Sequence, residues 1–161
     1  MKTIILMRHA KSSWKETDLA DHERPLNKRG EKDAPRMGKL LRDHNLVPQV
    51  ILSSTAVRCS QTAEAVADKI DYKNEVIYSP TLYLAEPQTY LDALQGLSDD
   101  VDCVLVVGHN PGLEGLVQIL SGKVEPLPTA AIALIQMPIR SWQALDIQVE
   151  GKLVNLWQPK H

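Results

Sequence analysis

The sequence predicts an α/β fold, a single-domain three-layer α/β/α sandwich with a mostly parallel central sheet. Strand-like and helix-like segments alternate through most of the 161 residues, which is typical of a parallel sheet with helices on both faces. Two apolar segments, residues 3–7 and 101–107, have the character of strands buried on both faces. Polar, reactive side chains follow three of the predicted strands directly. Because ligands in such folds bind beyond the carboxyl ends of the strands, we expect these three ends to meet.

The first half of the chain predicts two strand–helix units. After the strand at residues 3–7, Asn27 is suited to cap a helix that carries an apolar stripe. Pro35 falls inside that helix, so we expect its first turns to be irregular or its start to lie later. A second strand at residues 50–52 precedes a helix at 56–70, where apolar side chains recur at helical spacing.

The second half continues the alternation and adds two late strands. In order, the predicted elements are a strand at 75–78, a helix at 87–97, a strand at 101–107, a helix at 113–120, and strands at 130–137 and 144–156. No repeat, low-complexity segment or linker interrupts them. We therefore expect one domain over residues 1–161.

The composition limits the classes of partner. A formal net charge of -2 gives no bulk attraction to nucleic acid or to an anionic membrane, so neither is expected as a partner. Cys59 and Cys103 show neither CxxC nor metal-ligand spacing, and no carboxylate cluster has metal spacing, so we expect no metal and no cofactor. The apolar run at the N-terminus stops at Arg8, which is too short for a signal segment or a membrane span. A reducing cytoplasm is the expected location.

Two histidines and two arginines stand at or near the three strand ends. Arg8 and His9 follow the first strand, Arg58 lies just beyond the second, and His109 follows the strand at 101–107. Guanidinium groups are planar, permanently charged and bidentate, so they suit phosphoryl oxygens. An imidazole nitrogen that is unprotonated near neutral pH suits attack on phosphorus. The four residues together predict an anion pocket able to carry phosphoryl transfer, whereas a lone histidine would more often be a packing or capping residue.

Four sequence motifs, in order, resemble those of the histidine phosphatase superfamily, which includes the phosphoglycerate mutases. They are "LMRHA", "RPLNKRGEKDA", "LSSTAVRCSQTAEAVA" and "VVGHNPG". The resemblance as a whole spans residues 2 to about 136. The compact length, "RHAKSSW", "DHERPLNKRG" and "GHNPGLE" are most similar to the short SixA-type phosphohistidine phosphatases. Ala10 stands where the family usually has glycine, which matters only if the backbone there needs a positive φ.

The resemblance implies a role for each matching residue and a phosphoglycerate mutase-like fold. By it, His9 is phosphorylated in the intermediate, Arg8 and Arg58 bind the phosphoryl oxygens, and His109 completes the pocket. The proton donor is less defined, because Asn110 follows the second histidine and cannot act as a carboxylic acid. Glu86 lies roughly where the mutase glutamate would, although it can equally be a first-turn helix carboxylate stabilised by the helix dipole.

Several smaller candidates surround these motifs. Lys11, Ser12, Trp14 and Asn110 are candidate substrate-binding residues, although a serine in a polar loop is more often simply solvated. The charged cluster Asp21, His22 and Arg24 is equally suited to a structural ion pair or to a substrate-binding lip.

The sequence therefore predicts a cofactor-independent phosphatase (a hydrolase) with a role in signalling. Its expected substrate is phosphohistidine on a signalling or phosphotransfer protein, since the short chain has no long insertion that would form a lid over a small metabolite. Three alternatives remain at this point: a general phosphatase of small phosphate esters, a phosphoglycerate-type mutase, and a phosphoprotein-binding module without turnover.

Overall fold

The computed structural model, which describes residues 1–161, contains six strands and four α-helices. The strands are β1 (Lys2–Arg8), β2 (Val50–Ser54), β3 (Ile77–Ser79), β4 (Cys103–Gly108), β5 (Ile132–Met137) and β6 (Lys152–Trp157). The helices are α1 (Lys28–Asp43), α2 (Val57–Lys69), α3 (Pro87–Gln95) and α4 (Gly112–Ser121). None of the helices combines the length and the apolar composition that crossing a bilayer requires.

All six strands belong to one sheet, in the order β3-β2-β4-β1-β5-β6. The pairs β3–β2, β2–β4 and β4–β1 are parallel, whereas β5 runs antiparallel to both β1 and β6. The prediction of a mostly parallel α/β sandwich is confirmed. Because β1 and β4 are central neighbours, their carboxyl ends, Arg8 and Gly108, lie in register beside each other.

The apolar runs of β1 and β4 supply both faces of the sheet. Ile4 and Leu6 belong to one core, which α3 and α4 cover, and Ile5 and Met7 belong to the other, which α1 and α2 cover. Successive side chains of a strand point to opposite faces, so a strand between two helical layers must be apolar at every position. This explains the absence of polar–apolar alternation in residues 3–7.

Helix α1 begins where its cap predicts, despite its internal proline. The side chain of Asn27 accepts a hydrogen bond from the backbone N–H of Gly30 at 2.9 Å. The expectation of an irregular or later start was wrong, since the helix runs unbroken from Lys28 through Pro35. An interior proline costs about 3 kcal/mol, which burial of Met37 and Leu41 in the core offsets.

The late strand predicted at 144–156 begins much further along, at Lys152. A short 3-10 helix, Trp142–Ala144, precedes it, and the intervening residues form turns. The Trp142 indole N–H donates to the Val101 carbonyl at 2.8 Å, and Leu145 is fully buried. Side-chain docking, rather than strand pairing, therefore holds this part of the chain.

Candidate active site

The carboxyl ends of β1, β2 and β4 meet at one edge of the sheet, as the fold class predicts. The backbone N–H of His9 donates to the Gly108 carbonyl at 3.1 Å. The rings of His9 and His109 face each other edge-on, with 5.4 Å between centroids. Arg58 comes from the first turn of α2, directly after β2. The four residues singled out from the motifs are thus brought together.

A backbone hydrogen bond fixes the tautomer of His9. Its Nδ1 lies 2.8 Å from the Ala10 carbonyl, which can only accept, so Nδ1 carries the proton and Nε2 keeps its lone pair. Burial, opposed by that hydrogen bond and reinforced by the nearby Arg58 and Arg8, lowers the pKa of His9 to about 4. The imidazole is therefore neutral near pH 7, as a nucleophile requires.

The loop that carries His9 is itself anchored to α2. The Ala10 backbone N–H donates to the Thr62 hydroxyl at 3.0 Å, and that hydroxyl donates to the Arg58 carbonyl at 2.7 Å. Ala10 is fully buried and is not among the positive-φ residues. Alanine in place of the family's usual glycine therefore introduces no backbone strain.

His109 is held from the side opposite the cavity. Its Nε2 lies 2.8 Å from the Ser54 hydroxyl and 3.4 Å from the Cys59 thiol, while its backbone N–H donates to the Tyr90 hydroxyl at 3.1 Å. Its Nδ1 lies 3.5 Å from the Nη2 donor of Arg58, so we assign the proton to Nε2. Burial, with the neighbouring His9 and Arg58, lowers the pKa of His109 to about 3.

Both arginines keep donors free for an anion. Arg58 donates from Nη1 to the Asp21 carbonyl at 2.7 Å and from Nη2 to the Asp21 carboxylate at 3.0 Å. Arg8 donates from Nη1 to the Leu127 carbonyl at 3.3 Å. The Nε–H groups of both arginines are buried without a protein partner. Because an unsatisfied buried donor is costly, these groups are well suited to a bound oxyanion.

These side chains open into a cavity of about 350 Å³. Its lining comprises Arg8, His9, Lys11, Ser12, Trp14, Asp21, Arg24, Arg58, Leu84, His109, Asn110 and Thr129. All four candidate substrate-binding residues from the sequence are among them. The Asn110 amide nitrogen, however, donates to Glu114 at 2.7 Å and to the Leu127 carbonyl at 2.8 Å, so it is engaged in holding the cavity wall.

The cluster around Asp21 forms structural ion pairs and also borders the cavity, the two roles that the sequence left open. Asp21 lines the cavity and also pairs with Arg24 at 3.1 Å and with Arg58 at 3.0 Å. A hydrogen bond from the Tyr83 hydroxyl, together with those from the two arginines, holds the pKa of the Asp21 carboxyl well below its usual range. Arg24 in turn donates to the Ser12 hydroxyl at 2.8 Å and stacks 3.4 Å above the Trp14 ring.

The sequence does not place three residues of this arrangement: Asp21 and Arg24 stand in it only as part of a charged cluster, and no motif marks Tyr83. The available signal was the run of charges just before α1, but nothing in its spacing shows which strand end it faces.

Glu86 does not contribute to the cavity. It is exposed at the N-cap position of α3, where its backbone carbonyl accepts from Thr89 at 3.0 Å, and it is absent from the lining. The only carboxylate in the lining is Asp21, which is ion-paired. The structure therefore offers no support for Glu86 as a proton donor.

Comparison with known proteins assigns the family. The sequence model of the histidine phosphatase superfamily (branch 1) matches residues 4–83. This segment contains Arg8, His9 and Arg58. The chain belongs to this superfamily. A structure assigned as the phosphohistidine phosphatase SixA of Agrobacterium tumefaciens superposes with a TM-score of 0.84 at 28% identity, covering 98% of each chain.

Two further proteins are similar to this chain over most of its length. A structure of the protein histidine phosphatase SixA complexed with tungstate has a TM-score of 0.81 and 25% identity, covering 96% of this chain and 95% of that one. An uncharacterised chloroplast protein of Arabidopsis thaliana is 35% identical over 152 residues, which is 88% of this chain and 69% of that protein. Within the superfamily, the chain is thus SixA-like.

Proposed function

We propose that the protein is a phosphohistidine phosphatase in which His9 carries the phosphoryl group between two half-reactions. One observation carries the proposal: the Nδ1–H bond to the Ala10 carbonyl leaves Nε2 of His9 unprotonated in a cavity lined by Arg8, Arg58 and His109. The substrate proposed is phosphohistidine on a signalling or phosphotransfer protein, in the cytoplasm. Superfamily membership and the SixA-like structure support a phosphatase.

In the first half-reaction, the lone pair on Nε2 of His9 attacks phosphorus. The P–N bond of the substrate breaks, and its electron pair stays on the departing imidazole nitrogen, which takes a proton from solvent. Arg8 and Arg58 neutralise the charge on the equatorial oxygens. The arriving anion also raises the pKa of His109, so that this imidazole can become a cationic donor to the phosphoryl group.

In the second half-reaction, water attacks the phosphorus bound to His9. The bond between phosphorus and Nε2 breaks, its electron pair returns to the imidazole, and inorganic phosphate leaves with the oxygen of water. Asp21 does not serve as the base, because its carboxylate is occupied by Arg24, Arg58 and Tyr83. Asp21 instead accepts hydrogen bonds from Arg58 and holds its guanidinium at the cavity.

The lining favours a nitrogen leaving group over an alkoxide. An alkoxide needs a general acid as the bond breaks, and the single carboxylate in the cavity is held ionised. The leaving imidazole of phosphohistidine is protonated readily by water. This chemistry matches phosphohistidine better than a phosphate ester, and it leaves a general ester phosphatase as the alternative outcome of the test.

The test compares phosphate release by the wild type and by His9→Ala. The substrates are a phosphohistidine protein, p-nitrophenyl phosphate and a phosphoserine peptide. We expect turnover of phosphohistidine well above that of the esters, loss of at least about a thousandfold in His9→Ala, and an acid-labile radiolabelled phosphoenzyme in the wild type only. His44→Ala, at an exposed histidine, is the matched control and should behave as the wild type.

Each contrary result has a definite meaning. Equal, His9-dependent turnover of esters would keep the mechanism and remove the substrate class. Binding of the phosphohistidine protein without turnover would identify a binding module. Turnover that persists in His9→Ala would overturn the proposed nucleophile.

A further inference from the structure

A second, strongly charged depression lies along the exposed side of α1. It encloses about 390 Å³ and is lined by Lys28, Arg29, Lys32, Asp33, Arg36 and His161. We call this set the basic groove. Four permanent cations face one carboxylate there, in a protein whose formal net charge is -2. The groove therefore stands out against the overall charge of the molecule.

The single carboxylate of the basic groove is already neutralised. Asp33 is buried and lies 3.5 Å from Arg29, 3.4 Å from Arg36 and 2.9 Å from Nε2 of His161. Lys28 and Lys32 are exposed and form no ion pair. Their ammonium groups are thus available to an anionic partner from outside.

The start of α1, which carries the basic groove, packs against the loop that lines the active-site cavity. The Asn27 backbone N–H donates to the Lys11 carbonyl at 3.0 Å, and Gly30 packs directly against that carbonyl. Lys11 itself lines the cavity. From Lys28 to Arg36 the helix rises about 12 Å. The cations of the groove therefore follow α1 from a helix start that contacts this loop, over a distance that a small phosphate ester cannot span.

Negative charge is gathered elsewhere on the same helical layer. A separate depression on the α2 side is lined by Glu64, Asp68, Asp71 and Glu75. Charges of opposite sign thus lie on the α1 and α2 sides of this layer, so an acidic partner is attracted to the α1 side.

We propose that the basic groove docks an acidic surface of the phosphorylated protein, next to the phosphohistidine that enters the cavity. The inference rests on the proposed function and deepens it, because it defines the substrate as a protein with clustered carboxylates flanking its phosphohistidine. The groove contains no Trp or Tyr on which bases could stack, which favours a protein over single-stranded nucleic acid.

The test uses two synthetic phosphohistidine peptides that differ only in their flanks. In one, the phosphohistidine is flanked on both sides by glutamate runs long enough to follow α1; in the other, by glutamines. The groove variant is Lys28→Glu with Lys32→Glu. The matched control is Lys123→Glu with Lys152→Glu, which makes the same change of charge near the start of β6. That region lies at the opposite end of the strands from the cavity, because the start of β6 pairs with the end of β5 and the end of β5 pairs with the start of β1. The readout is the ratio of the two KM values.

We expect the wild type to show a KM about fivefold lower for the glutamate peptide at low salt, consistent with a few exposed ion pairs. The preference should vanish in the groove variant and at high salt, and persist in the control. Equal KM values in the wild type, with His9-dependent turnover intact, would overturn the docking surface alone. An equal loss in both double variants, or tighter competition by an oligonucleotide than by the unphosphorylated glutamate peptide, would also overturn it. Absence of His9-dependent turnover of either peptide would overturn the proposed function itself.

Discussion

Two imidazoles in one cavity are both kept neutral, and burial is the main reason for each. His9 and His109 lie among arginines, and a charge on His9 adds to the cost of protonating His109. In the proposed mechanism, neutrality makes His9 a nucleophile. It also lets His109 gain a proton when the substrate anion arrives, so that the positive charge of the cavity increases on binding.

This arrangement makes the fold sensitive to acid. In the unfolded chain a histidine titrates near 6.5, whereas folding lowers the pKa of His9 to about 4. The unfolded state therefore binds more protons between these values, and the free energy of unfolding falls as pH drops through that window, by about 3 kcal/mol for His9 alone. Above about pH 6.5 both states are neutral and this effect is absent.

Urea denaturation at pH 7.5 and pH 4.5 measures the effect. We expect His9→Asn to lose much less stability than the wild type between the two pH values. His44→Gln, at an exposed position, is the matched control and should follow the wild type. An unchanged pH dependence in His9→Asn would show that burial of this imidazole is not the source of the acid sensitivity.

Which site residues the sequence could predict depended on where they stand relative to the strands. Arg8, His9 and His109 directly follow apolar strands, and a parallel sheet gathers such positions at one edge. Asp21 and Tyr83 instead reach the cavity from irregular segments, and hydrophobic periodicity says nothing about the path of a loop. Glu86 shows the limit of motif position, because a place in the sequence like that of the mutase glutamate does not put its carboxylate in the cavity lining, although Leu84 lies there.

At the level of elements, the first turn of α1 packs against the loop after β1 and limits where that loop can lie. A Cβ built on Gly30 would lie 2.1 Å from the Lys11 carbonyl oxygen, which is a backbone atom that cannot rotate away. The same loop carries His9, Lys11 and Ser12 into the cavity. The absence of a side chain at Gly30 thus sets the position of cavity-lining groups about twenty residues earlier in the chain.

Gly30→Ala is therefore expected to displace this loop. We expect a loss of about 1–3 kcal/mol in the free energy of unfolding, typical of overpacking, and a fall in kcat/KM for phosphohistidine peptide of at least tenfold, since small misplacements of reacting groups are costly. Gly96→Ala is the matched control, because its nearest neighbour would lie at an ordinary 3.6 Å. Wild-type kinetics in Gly30→Ala would show that Gly30 does not set the position of this loop.

The element boundaries were predictable where one interaction dominated and not where several competed. Asn27 marked the start of α1 correctly because a cap acts locally. The predictions at the interior Pro35 and at residues 144–151 were wrong because distant contacts decide both: the core under α1 outweighs the proline, and the docking of Trp142 takes the place of strand pairing. Local preference is a weak guide where tertiary packing is this strong.

Across the whole molecule, one tryptophan lies at each end of the parallel strands, one in the core and one at the cavity. Trp142 is fully buried beside Val101, just before the start of β4, whereas Trp14 is 71% exposed at the cavity beyond the end of β1. The two tryptophans therefore serve different ends of the same parallel strands. One belongs to the core beneath α3 and α4, and the other stacks on Arg24.

Substituting each tryptophan should separate the two properties. Trp142→Ala is expected to lower the free energy of unfolding by about 3–5 kcal/mol and to leave kcat/KM of the folded protein unchanged. Trp14→Ala should change stability by less than about 1 kcal/mol and lower kcat/KM about two- to fivefold through the lost support of Arg24. Thermal denaturation and steady-state kinetics on both variants provide the check. A large stability loss in Trp14→Ala would contradict this division.

Strand β5 is the one strand that runs against the others, and this has a consequence for how the protein can diversify. Because of its direction, the connection from α4 arrives at the edge that carries the cavity. There the Leu127 carbonyl accepts from Arg8, Thr129 lines the cavity, and the Ala130 N–H lies 3.0 Å from the His9 carbonyl. Surface connections tolerate changes in length at small cost. A longer connection here could cover the cavity and restrict which substrates enter, while the parallel strands keep the reacting groups in place. Substrate preference can therefore change without any change in the reacting residues.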